Sequence, residues 1–237
     1  MWERHEEKWP ASESSRADAS KSHQADASAD QAGSWRGESG RRLEVLDNGK
    51  VDSWCDHVAS GEPVITNRVR AVEQVSPGAL AGQQFRLKGR DRLKEKVASV
   101  REGAPGADID RVMANIHDAV RYTFEYGESG YAQGTQDDVS RLQSQGFELT
   151  KMKNLWASSE YKGINSQWLD RQTGQSFEVQ FHTTASFEGK QITHHAYERL
   201  RVLRMANPES ADLHAFQRDV CEAIPVPPRA QEIPDYP

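Results

Sequence analysis

The sequence has few cysteines and no long run of apolar residues. Its two cysteines, Cys55 and Cys221, lie far apart and show neither a C-x-x-C pattern nor the Cys/His spacing of a zinc site. Neither a disulfide scaffold nor a structural zinc site is indicated, and buried thiols are expected. No apolar run approaches the roughly 20 residues that span a bilayer, and the start, MWERHEEKWP, lacks the apolar stretch of a signal peptide. We expect a soluble protein without a membrane partner.

Apolar residues are also scarce overall. Only 36% of the 237 residues are hydrophobic, and the mean hydropathy is -0.82. Between Pro10 and Arg42 there is no Leu, Ile, Val, Phe or Met, so this stretch cannot bury enough surface to offset the entropy of ordering it. The last 13 residues, 225–237, hold five prolines and should be extended. We predict a disordered tail or linker at 1–42, a folded domain at 43–224 and a proline-rich tail at 225–237.

The charge balance gives no global reason to bind nucleic acid. With 30 Lys and Arg against 36 Asp and Glu, the net charge is -6, so any anion site must be local. Residues 86–101 form such a local excess, with only Asp91 and Glu95 as acids. An anion site and a solvated helix face explain this excess equally well. Its basic members are Arg86, Lys88, Arg90, Arg92, Lys94, Lys96 and Arg101.

Common catalytic motifs are missing. The sequence contains no G-x-x-x-x-G-K-[ST], no G-x-G-x-x-G after a strand, no H-E-x-x-H and no G-x-S-x-G, which argues against the common nucleotide loops, zincins and serine hydrolases. His194 and His195 are adjacent, and adjacent helical side chains point about 100° apart, so the two cannot both face one metal ion.

Hydrophobic periodicity predicts an α+β fold. Helical spacing appears at 63–75 behind Pro63, at 93–100, at 109–116, from Thr135 to a stop at Gly146, after a cap at Ser186, and at 213–224. Thr135 and Asp138 have the spacing of a capping box. Extended patterns occur at 83–88, 117–126, 147–154, 161–169 and 176–182, and the last two read as a hairpin. We expect a mixed, mainly antiparallel sheet of about five strands, with helices on one face.

The same alternation leaves polar side chains on the other sheet face. Basic, amide and acidic groups together suit a phosphate-bearing ligand, with one carboxylate for a metal ion or a hydroxyl proton. Antiparallel sheets commonly have a wet face, so any single one of these residues has a simple structural explanation. The predicted polar set is Arg86, Lys88, Arg121, Asn165, Gln167, Glu178, Gln180 and His182.

Five segments together resemble a known family. They are FRLKGRDRLKEKV, DAVRYTFEY, KNLWASSEYKGIN, FEVQFHT and KQITHHAYERLR, and their order is similar to that of the RelA/SpoT-type nucleotide pyrophosphokinase domain, in particular its divergent toxin-type members. The resemblance covers about residues 62–204, and the block from YKGIN to FEVQFHT is its most specific part.

The resemblance implies residue roles. Family members transfer pyrophosphate from ATP to the 3′-hydroxyl of a purine nucleotide, and some toxin members use the 3′ end of tRNA. By resemblance, ATP is held by Arg86, Lys88, Arg92 and Lys96, and catalysis falls to Glu178, Gln180, Arg121 and Asp118. Glu178 and Asp118 would bind Mg²⁺ as the cofactor. Tyr161 would stack on the acceptor base, within an acceptor set of Lys153, Asn154, Tyr161, Lys162, Asn165 and His182.

The sequence also departs from the family pattern. Arg92 replaces the usual Ser, Asn165 the usual His, and His182 the usual Arg of the last strand. The usual metal-binding Asp, five residues before Arg121, is Ile116 here, and Asp118 is the only nearby acid. If the strand register differs by two residues, Asp118 stays on the polar face, because two is the period of a strand. If it does not, the metal site is incomplete.

Three functions remain open at this stage. The first is pyrophosphate transfer from ATP to a purine nucleotide or RNA, by a growth-inhibiting bacterial toxin that acts in the cytoplasm, is delivered from another cell within a larger effector, and has an immunity protein as partner. The second is ADP-ribosyl or other nucleotidyl transfer, with Glu178 positioning the acceptor. The third is a non-catalytic nucleotide-binding or protein-binding module. The sequence does not indicate the oligomeric state.

Overall fold

The computed structural model describes residues 32–203 and 207–237. The helices and strands of the described chain follow in order. They are β1 (Trp35–Arg36), β2 (Arg42–Leu43), α1 (Val45–Glu73), β3 (Ala79–Ala81), α2 (Arg90–Gly103), α3 (Ile109–Ala114), β4 (Arg121–Tyr126), α4 (Tyr131–Ser144), β5 (Phe147–Asn154), β6 (Ile164–Asp170), β7 (Gln175–Thr183), α5 (Thr184–Val202) and α6 (Pro208–Glu222), with short 3-10 turns at Gln83–Phe85, Glu128–Gly130 and Ala230–Glu232.

A five-stranded mixed sheet lies at the centre of the fold. Its strand order is β3-β4-β7-β6-β5; β4 and β7 run parallel and the other neighbours run antiparallel. This confirms the predicted α+β class, the mainly antiparallel character and the hairpin of β6 and β7. The alternation in β7 works as expected, because Phe177, Val179 and Phe181 are fully buried. Helices α1 and α4 cover this apolar face, where Ile65, Val69 and Leu142 join the core.

Helix α1 is much longer than predicted. It begins at Val45, so Pro63 lies inside the helix rather than in its first turn. A buried stripe runs through the part that was missed, at Val51, Cys55 and Val58, with the spacing of one helix face. Gly49, Gly61 and Pro63 interrupt the sequence signal here, and packing against the core outweighs their low helix propensity.

The strand predicted at 83–88 does not form. Gly82 adopts a left-handed conformation (φ 61) and begins the 3-10 turn Gln83–Phe85, which ends the strand at Ala81. Phe85 is consequently 78% exposed, instead of half-buried. Downstream, the Lys88 amide donates to the Ala119 carbonyl over 2.9 Å and the Arg121 amide to the Arg86 carbonyl over 2.7 Å, so this segment still lies beside the start of β4.

Two predicted helix starts are also wrong. Helix α4 begins at Tyr131, four residues before the proposed cap, and Asp138 instead accepts a hydrogen bond from the Tyr126 hydroxyl over 2.7 Å. Helix α5 is capped by Thr183, while Ser186 is the reciprocal partner in its capping box. The two reciprocal hydrogen bonds of this box fix the first turn of α5 directly after the end of β7.

Both predicted tails contain ordered, packed residues. Residues 1–31 lie outside the described part of the chain, but β1 pairs with β2, and Arg41 reaches α2, where it forms ion pairs with Glu95 (2.7 Å) and Glu102 (2.8 Å). At the other end, Tyr236 and Met152 exchange two backbone hydrogen bonds of 2.9 Å. Residues 32–42 of the predicted disordered tail (1–42) thus pack against α2, and the predicted proline-rich tail (225–237) pairs with β5.

No helix within residues 32–203 and 207–237 is long and apolar enough to cross a membrane.

Candidate active site

Two rows of polar residues cross the sheet on the face opposite α1 and α4. Strand register places Lys151, Gln167, Glu178 and Arg121 side by side in the first row, and Lys153, Asn165, Gln180 and Thr123 in the second. We call this surface, together with His182, the polar face. A cleft of about 240 Å³ opens on it. Its lining residues are Lys151, Lys153, Leu155, Asn165, Gln167 and Glu178.

Arg121 and Glu178 form the centre of the first row. The parallel pairing of β4 and β7 sets them opposite each other, and the Arg121 Nε atom lies 2.7 Å from Glu178 Oε1. The Gln180 amide donates to the same carboxylate oxygen over 2.6 Å. Glu178 and Gln180 thus form a hydrogen-bonded pair on one face of β7.

Asp118 lies next to this pair and gathers three cations. Its Oδ2 accepts hydrogen bonds from Lys88 Nζ over 2.6 Å and from Arg121 Nη2 over 3.1 Å, and its Oδ1 accepts one from Lys96. Burial alone would raise the pKa of Asp118, but Lys88 and Lys96 outweigh it and hold that pKa far below its usual range. Ile116, at the family's usual metal position, is 4% exposed and belongs to the core.

A change at Asp118 should destabilise the protein in a pH-dependent way. We expect Asp118→Asn to cost about 3 kcal/mol of unfolding free energy at pH 7, because it leaves a cluster of cations without their counter-ion. A carboxyl whose pKa is lowered by folding contributes stability above its unfolded pKa, about 4, and loses it as the pH falls further. Urea unfolding of both proteins between pH 7 and pH 3 should therefore show the difference in unfolding free energy narrowing below about pH 4. An equal difference at both ends of this range would contradict the charge argument.

The two predicted magnesium ligands, Asp118 and Glu178, are both paired with cations of the protein. Both oxygens of Asp118 are taken by cations, and Arg121 contacts both Asp118 and Glu178. Across residues 32–203 and 207–237, no cluster of three or more His, Cys, Asp or Glu side chains is arranged to hold a metal ion. Asp118 and Glu178 thus both contact the guanidinium of Arg121.

Arg86 is held from the opposite side, by α1. Its Nε donates to Glu62 Oε1 over 2.6 Å, and Glu62 is only 4% exposed. Thr66 donates to the same carboxylate and lies 2.7 Å from the Tyr122 hydroxyl. Arg86 is therefore a partner of a buried acid as well as a candidate phosphate ligand.

Replacing Arg86 should cost stability, contrary to what strand alternation alone implies. We expect Arg86→Met to lower the unfolding free energy by about 2 kcal/mol, because the Glu62 carboxylate is left buried without its cation. The double change Arg86→Met with Glu62→Gln should recover most of this loss, since it removes the uncompensated charge. Thermal unfolding of the parent protein and the two variants checks it, and a double variant no more stable than the single one would contradict it.

The remaining predicted ATP ligands lie on and before α2. Lys88 is largely buried, and burial lowers its pKa while Asp118 opposes that shift. Arg92 lies one turn before Lys96 and is exposed, so both can reach a ligand from the same helix face. Some cations of the segment 86–101 already have a counter-ion in the protein: Arg90 and Lys94 both form an ion pair with Asp52.

A hydrogen-bonded group lies at the far end of β7. The Tyr161 hydroxyl donates to Asn165 Oδ1 over 2.7 Å and lies 2.9 Å from His182 Nε2; His182 Nδ1 lies 2.9 Å from the Ser186 hydroxyl. Burial lowers the pKa of His182 far below its usual range, so the ring is neutral. Gly163, at φ 143, comes so close that an added Cβ would lie 2.8 Å from His182 Cε1. A side chain at 163 would displace the ring.

The structure brings most of the predicted acceptor residues together, but not all. Lys153, Tyr161, Asn165 and His182 lie on or beside the polar face. Asn154 instead donates from its side chain to the carbonyls of Ala230 and Ile233, over 2.8 Å each, and so anchors the C-terminal segment.

Lys162 also has a local role. Its ammonium donates to the carbonyls of Trp156 over 3.0 Å and Ser158 over 2.7 Å, which closes the loop between β5 and β6. The polar groups of Asn154 and Lys162 thus hydrogen-bond to backbone carbonyls of the protein itself.

Lys151, on the polar face, was not predicted, and neither was a residue of α5. Lys190, in the second turn of α5, donates to Gln180 Oε1, and its Nζ lies 5.3 Å from the centre of the Phe187 ring. Burial, with a further effect from Arg121, lowers the pKa of Lys190 to about 8. The signal was in the sequence, since Lys190 begins the segment KQITHHAYERLR, but only the fold shows that α5 turns back over the polar face.

The fold is that of small alarmone synthetases. The structure is similar to small alarmone synthetase 1 from Bacillus subtilis, with a TM-score of 0.54 and 14% identity over 74% of this chain and 90% of that chain. It is also similar to smu.1046c from Streptococcus mutans UA159, with a TM-score of 0.52 and 15% identity over 72% and 90% of the two chains. For the Bacillus subtilis enzyme bound to its product pppGpp, the TM-score is 0.50 and the identity 12%, over 74% and 91%.

No family model and no curated protein matches the sequence. The likeness is therefore one of fold, and it confirms the RelA/SpoT-type fold that the five segments predicted.

Proposed function

We propose that this protein transfers pyrophosphate from ATP to the 3′-hydroxyl of a purine nucleotide or of an RNA 3′ end. One observation carries the proposal: the Arg121–Glu178 pair has a cluster of lysines, Lys88 and Lys96, on one side, and the hydrogen-bonded side chains of Tyr161 and Asn165 on the other. Cations on one side of a carboxylate and an aromatic hydrogen-bonding group on the other suit a triphosphate donor and a nucleoside acceptor.

Residues of the polar face and of the basic segment 86–101 divide the chemistry between them. Lys88, Lys96, Arg92 and Arg121 would bind the triphosphate and neutralise charge as it develops on the transferring group. The 3′-oxygen of the acceptor attacks the β-phosphorus, the bond from that phosphorus to the oxygen bridging the α-phosphate breaks, and AMP leaves. The proton of the hydroxyl passes to Glu178, whose Oε1 is held by Arg121 and Gln180.

Asp118 acts in this scheme by holding the cations in place. Magnesium, in our proposal, enters with the triphosphate as part of the substrate, since ions of this kind are commonly bound through substrate phosphates.

An acceptor panel tests the reaction. The protein is incubated with ATP and, in separate reactions, GDP, GTP, ATP alone or a short RNA, each matched by its 3′-deoxy analogue, and AMP release is measured. Because ATP itself carries a 3′-hydroxyl, we expect AMP release above the rate with ATP alone only when the added acceptor carries a 3′-hydroxyl. Consumption of NAD in place of ATP would support ADP-ribosyl transfer instead, and nucleotide binding without any product would support a binding module.

The biological role we propose is that of a growth-inhibiting toxin acting in the bacterial cytoplasm, delivered from another cell and neutralised by an immunity protein. This rests on the resemblance to toxin-type members. Induced expression in a bacterial cytoplasm should stop growth, whereas expression of the Glu178→Gln variant should not. Equal growth of cells that express the parent protein and the variant would contradict the toxin role. The proposed reaction would then still be tested by the acceptor panel.

A further inference from the structure

Lys190 is a cation of the site without a counter-ion. Its ammonium carries three N–H groups and donates one of them to Gln180 Oε1. Within residues 32–203 and 207–237, no carboxylate is close enough to form an ion pair with it, and its other contact is the face of the Phe187 ring. Among the described residues, Gln180 is thus its one hydrogen-bond acceptor.

The surroundings make this arrangement unfavourable for the protein alone. The charged and titratable groups that act on Lys190 across the site are Arg121 on β4, and Glu178 and His182 on β7. Burial and Arg121 disfavour its charge, and Glu178 favours it. A half-buried ammonium beside a second cation costs folding energy unless an anion joins it.

Geometry indicates where that anion lies. A chain of contacts runs from Asp118 through Arg121, Glu178 and Gln180 to Lys190. Lys88 and Lys96 lie at the Asp118 end of this chain, so Lys190 adds a cation at the opposite end. An anionic group bound beside Glu178 would therefore have Lys88 and Lys96 on one side and Lys190 on the other.

We propose that Lys190 is a binding residue for the diphosphate group of the substrate, whose oxygens supply the counter-ion that the protein lacks. This rests on the proposed function, because it assigns the ligand of the same site. It also makes a statement about the free protein: Lys190 is retained at a cost in stability and serves ligand binding.

The test uses inorganic pyrophosphate as the probe, so that no turnover is needed. Binding is measured by calorimetry, and Tm is measured with and without pyrophosphate, for the parent protein, Lys190→Met and Lys190→Arg. Lys50→Met is the control, because Lys50 pairs with Asp110 at the surface, outside the polar face.

For Lys190→Met we expect the affinity for pyrophosphate to fall about tenfold or more, the scale of a charge-assisted hydrogen bond, with a Tm in the absence of ligand equal to or above that of the parent. Lys190→Arg should retain affinity within about threefold, since the charge and donors are kept. Lys50→Met should bind like the parent.

Parental affinity in Lys190→Met would overturn the proposal, and so would a Tm several degrees lower without ligand, because that result assigns Lys190 to folding. If AMP release fails in the acceptor panel while Lys190→Met still loses pyrophosphate binding, the diphosphate site stands and the proposed reaction is wrong. If AMP is released and pyrophosphate binding is unchanged in Lys190→Met, the assignment of Lys190 fails alone.

Discussion

Replacing Glu178 by Gln should lower turnover by about a hundredfold or more, the usual scale for a group that takes a proton in the transition state. The change keeps the shape of the side chain and removes its charge. Folding should be little affected, because Arg121 retains its contact with Asp118 over 3.1 Å and the apolar neighbours Phe177 and Val179 are untouched.

The matched control is Glu188→Gln, which removes an exposed carboxylate on α5. Initial rates of AMP release and Tm are measured on the same preparations. If Glu178 serves only as a structural partner of Arg121, the variant will lose Tm and keep its activity per folded molecule. That pattern would contradict the assignment of Glu178 as the proton acceptor.

Replacing Arg121 by Met should have a larger effect, a loss of about a thousandfold in turnover. Arg121 contacts both Asp118 and Glu178, so its removal takes away a cation that would face the triphosphate and also leaves two carboxylates close to each other. Losing one preorganised donor commonly costs 10²–10³ in turnover, and the freed carboxylates add to this loss.

Arg121→Lys separates charge from geometry. A lysine restores the positive charge, but its single ammonium lacks the planar fork that contacts two carboxylates at once. We expect it to recover less than a tenth of the parental rate. The control is Arg171→Met, which breaks an ion pair with Glu148 in which the Arg171 side chain is 73% exposed. Parental rates in Arg121→Lys would show that charge alone is needed.

The sheet could be predicted from the sequence where its alternation is strong. Phe177, Val179 and Phe181 alternate with Glu178, Gln180 and His182, and both the strand and its two faces follow from that pattern. The segment 83–88 alternates equally well, yet it forms a turn because Gly82 provides a left-handed residue just before it. A local backbone preference outweighed a pattern of side chains.

The sequence predicted which strand residues lie at the site, but it did not predict which of them contact each other. Alternation places Arg121 and Glu178 on one face, whereas their direct contact depends on the parallel pairing of β4 with β7, which joins strands more than 50 residues apart. Neighbouring residues show the limit most clearly. Lys153 lies on the polar face, and Asn154, one residue later, points to the C-terminal segment, because successive strand side chains alternate in direction.

Lys190 is a site residue that strand alternation could not predict. Its place at the site depends on the capping box of Thr183 and Ser186, which directs α5 back over β7. That box was readable only as a cap at Ser186, and the direction of a helix after its cap is set by packing. Residues that a helix brings to a sheet face are therefore the ones that strand patterns miss.

Tracing the phosphates of ATP tests the central claim most directly. Two preparations of ATP, one labelled at the α-phosphate and one at the β-phosphate, are incubated with the protein and an acceptor that carries a 3′-hydroxyl, and the products are separated. Our account predicts that the β label moves to the acceptor and the α label leaves as AMP, in equal amounts. Label transferred from the α-phosphate, or AMP formed without a labelled acceptor, would contradict it.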